Sequence, residues 1–379
     1  MRLSAKGALL VPLLLLGMIV LGTANRVSFT LMLIPMHNYP YFMSQFINFI
    51  VIPIFFPLVW AQMIFTRDIT PEVRAFPQRR FAAMGALDTL AGFMVLMGGA
   101  HISGPSQVLL SQGAIPVTMV VTSVWLKRRY NPVQYVGAAA IIVGVVLSML
   151  QSFLVDTKAE SAEKAAGAAT VLWALLYFSN NFPQAVSSVY KEISFRSVAI
   201  GALYMNAFVS LYQFLLGFPL APVAALVQDI SLRDIPEHMA QGAGCLFAGT
   251  HSQKGDERCG DAALLVALYI TFNVAYNIFL VLVLKYGSAA LMFIATAVII
   301  PLANILYTFP GIMGDNARPL SVYDIIGLLV ILLGISLYRL AESAEEEGGP
   351  SVVERDGKTT TGVLGRRRVD KANGFYEEI

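Results

Sequence analysis

One long apolar run ends and the next begins within ANRVSFTLMLIPMHNYPYFMSQ, residues Ala24–Gln45. Arg26 belongs to the first run, and a charge near the middle of a membrane helix costs about 3 kcal/mol. A chain with 56% hydrophobic and 13% charged residues does not need that charge in order to fold. We therefore treat Arg26 as a candidate functional residue. The alternative is that its side chain extends to the nearby membrane interface.

The apolar runs place the chain among polytopic α-helical membrane proteins. Soluble domains contain roughly 25% charged residues, whereas the charges here are gathered between runs of about 20 apolar residues, the length that one spanning helix needs. The runs are continuous and do not alternate as the strands of a β-barrel do. We predict ten spans, at about 7–33, 41–65, 81–99, 104–126, 132–153, 166–189, 197–219, 262–285, 288–310 and 322–340.

Lys and Arg residues are about twice as frequent on one side of the predicted spans as on the other, which places the richer side and both termini in the cytosol. The richer loops are 67–80, 127–131 and 191–196. Residues 1–340 form the predicted transmembrane domain. The segment 341–379 is rich in charged residues, Gly, Ser and Thr and is predicted to be a disordered cytosolic tail.

The longest loop, about 220–261, is predicted to face away from the cytosol. Its first part has the pattern of a short amphipathic helix on the membrane surface. Its second part holds the two cysteines of the chain, Cys245 and Cys259. Thiols on this side of a membrane can oxidise, so we expect a disulfide that stabilises the loop by about 3 kcal/mol. Two reduced thiols, or a metal site with His251, are the alternatives.

Matching intervals in the two halves of the chain indicate an internal repeat. Asp88 precedes Pro116 by 28 residues, and Asn273 precedes Pro301 by the same interval. The two prolines are expected to bend their helices and free backbone carbonyl groups. Because each half has five spans, an odd number, the halves have opposite orientations. Inverted repeats are typical of secondary transporters, which hold substrate near the membrane midplane between the halves.

The repeat divides the transmembrane domain into halves at about 1–153 and 166–340. The last span of each half carries two glycines seven residues apart, or two helical turns, so each pair lies on one face and allows close helix packing. The pairs are Gly137 with Gly144 and Gly327 with Gly334.

Polar side chains within the spans are expected to point into a wet cavity between the halves, because exposure to lipid is costly. The candidate cavity residues are Asn25, Arg26, Gln45, Asp88, Gln107 and Gln112 in the first half and Ser187, Ser188, Tyr190, Glu192, Asn273 and Tyr276 in the second. A solvated interfacial pair with Lys191 is the alternative for Glu192, and the amides can instead hold helices together. Most aromatic residues and methionines along the spans are interpreted as packing or lipid contacts.

The sequence contains no His pair at metal-ligand spacing, no nucleophile elbow and no phosphate-binding loop. We therefore expect a protein that is not an enzyme, with no cofactor, no metal and no nucleic-acid partner. The four histidines lie in or near non-cytosolic segments and are interpreted as interfacial residues, with sensing of lumenal pH as the alternative. They are His37, His101, His238 and His251.

Five motifs are distinctive: ANRV followed by P-x-x-NYPYFMSQ in Ala24–Gln45, LD at Leu87–Asp88, SQVLLSQGAIP at Ser106–Pro116, PQAVSSVYKE at Pro183–Glu192 and CLFAG at Cys245–Gly249. Together they resemble the chloroquine-resistance-transporter-like (CRT-like) family of the drug/metabolite transporter superfamily. The resemblance covers about residues 20–340. It implies an all-α fold of ten transmembrane helices in a 5+5 inverted repeat. It also implies export of peptides, amino acids, thiols such as glutathione, or organic cations, driven by protons.

The resemblance also implies individual roles. Arg26 falls where the family can place a cation in the cavity, Asp88 on a cavity carboxylate, and Glu192 on an acidic position of the sixth span. Tyr276 stands where some parasite members have a second carboxylate, so cationic drugs are not the expected substrates. Those members also have two lumenal cysteine pairs where this chain has one.

The predicted partners are a small-molecule solute, protons and the lipid bilayer, with the protein acting as a monomer. The family includes vacuolar and plastid members, which implies a vacuolar or lysosomal type of endomembrane, or alternatively the plastid envelope. A channel or a non-transporting membrane scaffold is the alternative function.

Overall fold

The computed structural model describes residues 5–65, 69–125, 127, 129–155, 161–198, 200–253, 258–286, 289–317 and 320–347. Over these ranges the secondary structure is helical, without strands. The α-helices are α1 (Ala5–Leu33), α2 (Pro40–Phe65), α3 (Pro71–Arg74), α4 (Gln78–Gly99), α5 (Gly104–Ser111), α6 (Ala114–Trp125), α7 (Pro132–Val155), α8 (Ser161–Ser179), α9 (Asn181–Ser197), α10 (Ala202–Gly217), α11 (Ala221–Val227), α12 (Ile235–Ala248), α13 (Cys259–Tyr286), α14 (Ala289–Leu306), α15 (Pro310–Met313) and α16 (Val322–Glu347).

The protein is an all-α membrane protein. Among the described residues, seven helical segments are long and apolar enough to cross a membrane, and a bent pair of segments raises that number to eight. The seven are Leu10–Leu33, Pro40–Phe65, Gln78–Gly99, Gly104–Trp125, Leu203–Val227, Cys259–Leu280 and Val322–Ala341. Large apolar side chains on their outer faces, such as Trp60, Phe65 and Leu329, are exposed, as expected for surfaces in contact with lipid.

Three of the ten predicted spans differ from a single straight spanning helix. The predicted span 104–126 is divided between α5 and α6. The predicted span 166–189 is divided between α8 and α9 near Asn180. The predicted span 288–310 corresponds to α14, after which the chain bends by 76° before Pro310.

A helix break accompanies one of the two prolines that were predicted to bend their helices. The fourth predicted span breaks at Gln112 and Gly113, between α5 and α6, because Pro116 has no N–H to donate to the Gln112 carbonyl. Pro301 lies within α14, and the bend expected there stays a prediction.

The ends of two predicted segments also require correction. Residues 191–196 were predicted to form a cytosolic loop, but α9 continues through Ser197, so Lys191 is helical. The last helix, α16, continues to Glu347, seven residues beyond the predicted end of the span at 340. The remainder of the predicted tail, 348–379, lies outside the described residues.

The packing of α7 against α16 is the most extensive helix pair in the structure, and the paired glycines explain it. A Cβ added to Gly137 would lie 2.7 Å from the carbonyl oxygen of Gly334, and one added to Gly334 would lie 2.7 Å from that of Gly137. Two helical turns away, a Cβ at Gly144 would lie 2.7 Å from the carbonyl oxygen of Gly327. The predicted close packing at these glycines is confirmed.

The other long helices surround an interior space. Helix α1 packs against α13 and α14, α4 packs against α8, α9 and α10, and α2 packs against α10. Their buried faces contain apolar clusters, one of which includes Val27, Val108 and Ile300. Between these clusters lie buried polar side chains, among them Thr30 and Gln107.

The long loop contains two short α-helices, α11 and α12, instead of the single amphipathic helix predicted for it. Helix α12 ends at Ala248 and is followed by Gly249, which has a φ of +62°, a left-handed conformation that favours glycine. Cys245 near the end of α12 is joined by a disulfide to Cys259 at the start of α13, with the two Cα atoms 4.9 Å apart. The bond ties the long loop directly to α13, which lines the interior space.

Candidate functional site

A cavity of about 230 Å³ lies between helices of the two predicted halves, and we call it the central cavity. Helices α1, α4 and α5 contribute from the first half, and α8, α13 and α14 from the second. The polar groups in its lining are Asn25, Arg26, Gln107, Tyr177, Tyr269, Tyr276, Thr296 and Tyr307. Among the described residues, Arg26 is the only ionic side chain in this lining.

The Arg26 side chain has neutral partners in the part of the chain that is described. Its Nη1 donates a hydrogen bond to the Ser111 hydroxyl at 3.2 Å. Gln112 also donates to this hydroxyl, at 3.2 Å, and Ser111 donates in turn to the Val108 carbonyl oxygen at 2.7 Å. Gln112 thus supports Arg26 from behind and does not line the cavity. A guanidinium has five N–H donors, so Arg26 keeps capacity to bind an anion in the cavity.

Tyrosine side chains supply much of the remaining polar surface of the central cavity. Tyr177 lies on α8, Tyr269 and Tyr276 on α13, and Tyr307 directly after α14. Only Tyr276 was selected from the sequence, because tyrosines along the spans were otherwise interpreted as packing residues. The hydroxyl group was the missed signal, since a buried tyrosine hydroxyl usually requires a hydrogen-bond partner.

A second and larger cavity, which we call the vestibule, has a volume of about 650 Å³. It is lined by the connection between α1 and α2, the connection between α4 and α5, and Arg258 beside the disulfide. His37 and His101 both line it, and the His101 ring stacks on Trp173 with centroids 4.0 Å apart. Desolvation, followed by the nearby charge of His37, lowers the pKa of His101 below its ordinary value.

Asp88 does not line the central cavity. Its Oδ2 lies 2.5 Å from the Nζ of Lys191 on α9, and the two side chains are 8% and 24% exposed. The other carboxylate oxygen, Oδ1, is buried and has no hydrogen-bond partner among the residues that the structure describes. Asp88 is thus paired with Lys191, whereas Arg26 contacts Ser111. The pair of Asp88 and Lys191 joins α4 to α9, which belong to different predicted halves.

The Lys191→Met substitution is expected to lower the free energy of unfolding by about 2 kcal/mol, because it leaves the Asp88 carboxylate buried and unpaired. The double substitution Asp88→Asn and Lys191→Met is expected to be less destabilising than Lys191→Met alone. Melting temperatures of the purified protein in detergent measure both effects.

A matched control is the exposed ion pair between Arg258 and Asp261, whose charged atoms are 3.6 Å apart. Its removal by Asp261→Asn should change stability by less than about 1 kcal/mol. A double Asp88 and Lys191 variant as unstable as the Lys191 single variant would contradict an ion pair that acts as a unit.

The remaining predicted site residues lie away from the central cavity. Gln45 is buried where α2 meets Gly217, and Ser187 is fully buried. Ser188 is exposed and donates to the Gln184 carbonyl oxygen. Two other residues make contacts within the helix bundle: Tyr190 stacks on Trp125, and Asn273 accepts hydrogen bonds from Asn277. The side chain of Glu192 lies outside what the structure describes.

Residues 11–338 match the family described as CRT-like, chloroquine-resistance transporter-like. The chain belongs to this family. The relative named Crt homolog 3, from Dictyostelium discoideum, is 35% identical to this CRT-like chain over 365 residues, which are 87% of the chain and 75% of that protein.

Two further relatives extend the comparison. The Chloroquine resistance transporter of Toxoplasma gondii is 34% identical over 380 residues, covering 96% of the CRT-like chain but 42% of its own length. Protein CLT3, chloroplastic, from Arabidopsis thaliana is 26% identical over 324 residues, covering 84% of the chain and 69% of that protein. The resemblance predicted from the sequence is confirmed, and the protein is a multi-pass member of a family of membrane transporters.

Several motifs on which the CRT-like resemblance was based contribute to the central cavity, to the ion pair between α4 and α9, or to the disulfide. ANRV supplies Asn25 and Arg26 to the cavity lining. SQVLLSQGAIP forms α5 and the break before α6. PQAVSSVYKE forms most of α9 and supplies Lys191 to the ion pair with Asp88.

Proposed function

We propose that this CRT-like protein is a secondary active transporter that moves small organic solutes by alternating access. The observation that carries the proposal is the central cavity between helices of both halves, with Arg26 in its lining. A solute held there contacts both halves, so a rocking motion between them can expose it to either side of the membrane.

Several helix contacts support a 5+5 inverted repeat of ten spans, although among the described residues the contact of α4 with α10 has no comparable counterpart between α13 and α2. The repeat relates α1 to α8 and α9, α4 to α13, and α5 and α6 to α14. When the halves are exchanged, the contacts of α1 with α13 correspond to those of α4 with α8 and α9. The contacts of α1 with α14 correspond to those of α6 with α9. The contacts of α2 with α10 and of α7 with α16 each join equivalent helices of the two halves, so the exchange leaves them unchanged. All of these contacts occur in the structure.

The two interrupted spans meet beside the cavity, as transporters with a central substrate site often show. Gly113, at the break between α5 and α6, leaves room for the ring of Phe178, because an added Cβ would lie 2.3 Å from that ring. Asn181, at the break between α8 and α9, donates to the Leu110 carbonyl oxygen at 3.3 Å. Irregular backbone at membrane depth is tolerated where it is buried in protein or lines a cavity.

The chemistry of the central cavity favours solutes that carry a carboxylate, such as amino acids, short peptides and thiols of the glutathione type. The guanidinium of Arg26 can hold a carboxylate through two parallel hydrogen bonds. The tyrosine hydroxyls can bind polar groups of the solute, while their rings contact its apolar parts. A cationic solute is disfavoured because Arg26 would repel it.

We assign proton coupling to Asp88. Protonation of its carboxylate would remove the attraction to Lys191 and weaken the link between α4 and α9, which belong to different halves. A rocking transporter needs such a link to break and re-form. We place the protein in a vacuolar or lysosomal type of membrane, with the plastid envelope as the alternative, and with both termini in the cytosol.

Uptake into liposomes that contain the purified protein tests this function. Under an imposed pH gradient, radiolabelled glutamate, glutathione or a dipeptide should accumulate with saturable kinetics, and collapse of the gradient should abolish accumulation. A channel would instead give flux that does not saturate, and a scaffold would give none. The absence of gradient-dependent uptake across this panel would count against the proposal.

A further inference from the structure

The central cavity and the vestibule are separated by a thin layer of polar side chains. Gln107 and Tyr307 line both cavities. Thr30 lines the vestibule, and Arg26, one helical turn earlier in α1, lines the central cavity. Thr30, Gln107 and Tyr307 therefore lie at the boundary between the two spaces, and we call them the boundary layer.

The boundary layer is held together by hydrogen bonds across three helical segments. The Thr30 hydroxyl lies 3.1 Å from the Tyr307 hydroxyl and 3.4 Å from Gln107 Oε1. Gln107 Nε2 donates to the carbonyl oxygens of Gly99 and Ile102, at 2.9 and 3.2 Å. All three boundary side chains are buried, with Tyr307 only 2% exposed. The layer is closed in this structure.

Tyr307 is placed at a point where the backbone can change direction. It is the first residue after α14, and the chain bends by 76° between α14 and the segment that begins at Pro310. Its ring packs on Gly104, where an added Cβ would lie 2.7 Å from the ring. Changes in a few residues at the end of an element are a common basis of hinge motion.

The boundary layer also connects directly to the candidate substrate site. The Tyr307 hydroxyl donates to the Arg26 carbonyl oxygen at 3.0 Å, while the Arg26 side chain lines the central cavity. A movement of α1 that accompanies solute binding at Arg26 therefore displaces an acceptor of Tyr307. This contact gives the layer a physical means of responding to the occupied cavity.

We propose that Thr30, Gln107 and Tyr307 form the gate between the vestibule and the central cavity, with Tyr307 as its moving part. Opening requires Tyr307 to leave Thr30 and the Arg26 carbonyl, so that a solute passes between α1, α5 and the end of α14. The inference rests on the proposed transport function, and it assigns to these residues the control of solute entry from the side of the disulfide.

Thiol labelling in liposomes tests the gate without requiring transport. The two native cysteines are joined in the disulfide, so Asn25→Cys introduces a single free thiol in the central cavity. A membrane-impermeant charged methanethiosulfonate should label it slowly. Adding Tyr307→Ala should make labelling about tenfold faster, the shift expected when hydrogen bonds that close a two-state element are lost.

Two further variants make the result specific. Ser106→Cys places a thiol in the vestibule, and its labelling should be rapid and unaffected by Tyr307→Ala. Tyr307→Phe keeps the ring but removes the hydroxyl, so it should give a smaller acceleration at Asn25→Cys even if Tyr307→Ala folds poorly. Size-exclusion profiles and melting temperatures identify any variant that is unfolded.

The outcomes separate the gate from the transport function. If Asn25→Cys is labelled as fast as Ser106→Cys before any change at Tyr307, or if neither Tyr307 variant alters its rate, the gate is refuted even where uptake is observed. If labelling accelerates as expected but no solute is taken up, the gate stands as a moving boundary between cavities and the proposed transport function fails.

Discussion

Replacement of Arg26 by glutamine is expected to lower kcat/KM for carboxylate-bearing solutes by about 10- to 100-fold. The variant keeps polar atoms in the central cavity but removes the positive charge. A hydrogen bond to a charged group contributes about 1.5–3 kcal/mol, and each 1.36 kcal/mol lost from the transition state corresponds to about a tenfold change in rate. The measurement is initial uptake into liposomes over a range of solute concentrations, with the pH gradient held constant.

Two further variants serve as comparisons for Arg26→Gln. Arg26→Lys keeps the charge but presents a point charge that does not match both oxygens of a carboxylate, so its activity should be intermediate. Ser188→Ala alters a predicted site residue that the structure places on an exposed surface, hydrogen-bonded within its own helix, and it should transport like the parent. Unchanged or increased uptake in Arg26→Gln would show that Arg26 does not bind the solute.

Charged and amide side chains within the apolar runs were the main basis for predicting the candidate site from the sequence, and they identify only part of its lining. Asn25, Arg26, Gln107 and Tyr276 were selected from the sequence and line the central cavity. Arg26 stands out in the sequence because an unpaired charge in an apolar span has a high energetic cost, which indicates a functional role. Amides such as Gln45 are weaker indicators of a cavity, since glutamine also forms contacts between helices.

The residues that the sequence did not reveal share a physical explanation. Tyr177, Tyr269 and Tyr307 look like any aromatic residue of a membrane span, and only the folded arrangement turns their hydroxyls toward a common space. Lys191 was assigned to a cytosolic loop because lysines cluster near span ends. Its pairing with Asp88 depends on the contact between α4 and α9, which the order of residues along the chain does not disclose.

The close packing of α7 and α16 was, by contrast, predictable from the sequence, because glycines two helical turns apart leave a flat stripe on a helix.

Substitution of these glycines is expected to have the second large effect, a loss of stability. Gly137→Ala and Gly334→Ala are each expected to lower the free energy of unfolding by about 2 kcal/mol. The added methyl group at either position would meet the carbonyl oxygen of the opposite glycine at 2.7 Å, and a backbone atom cannot move aside as the end of a flexible side chain can.

Gly92→Ala is the matched control, because it makes the same chemical change in the interior of α4 at a position with no atom within 4 Å of the added Cβ. Alanine is favoured over glycine within helices by about 1 kcal/mol, so this variant should melt at the same temperature as the parent or slightly higher. The double variant Gly137→Ala and Gly334→Ala should cost less than the sum of its parts, because the first methyl group already separates the helices that the second one meets. No loss at Gly137 or Gly334, or a loss at Gly92 as large as theirs, would mean that the contact between α7 and α16 does not depend on the small size of its glycines.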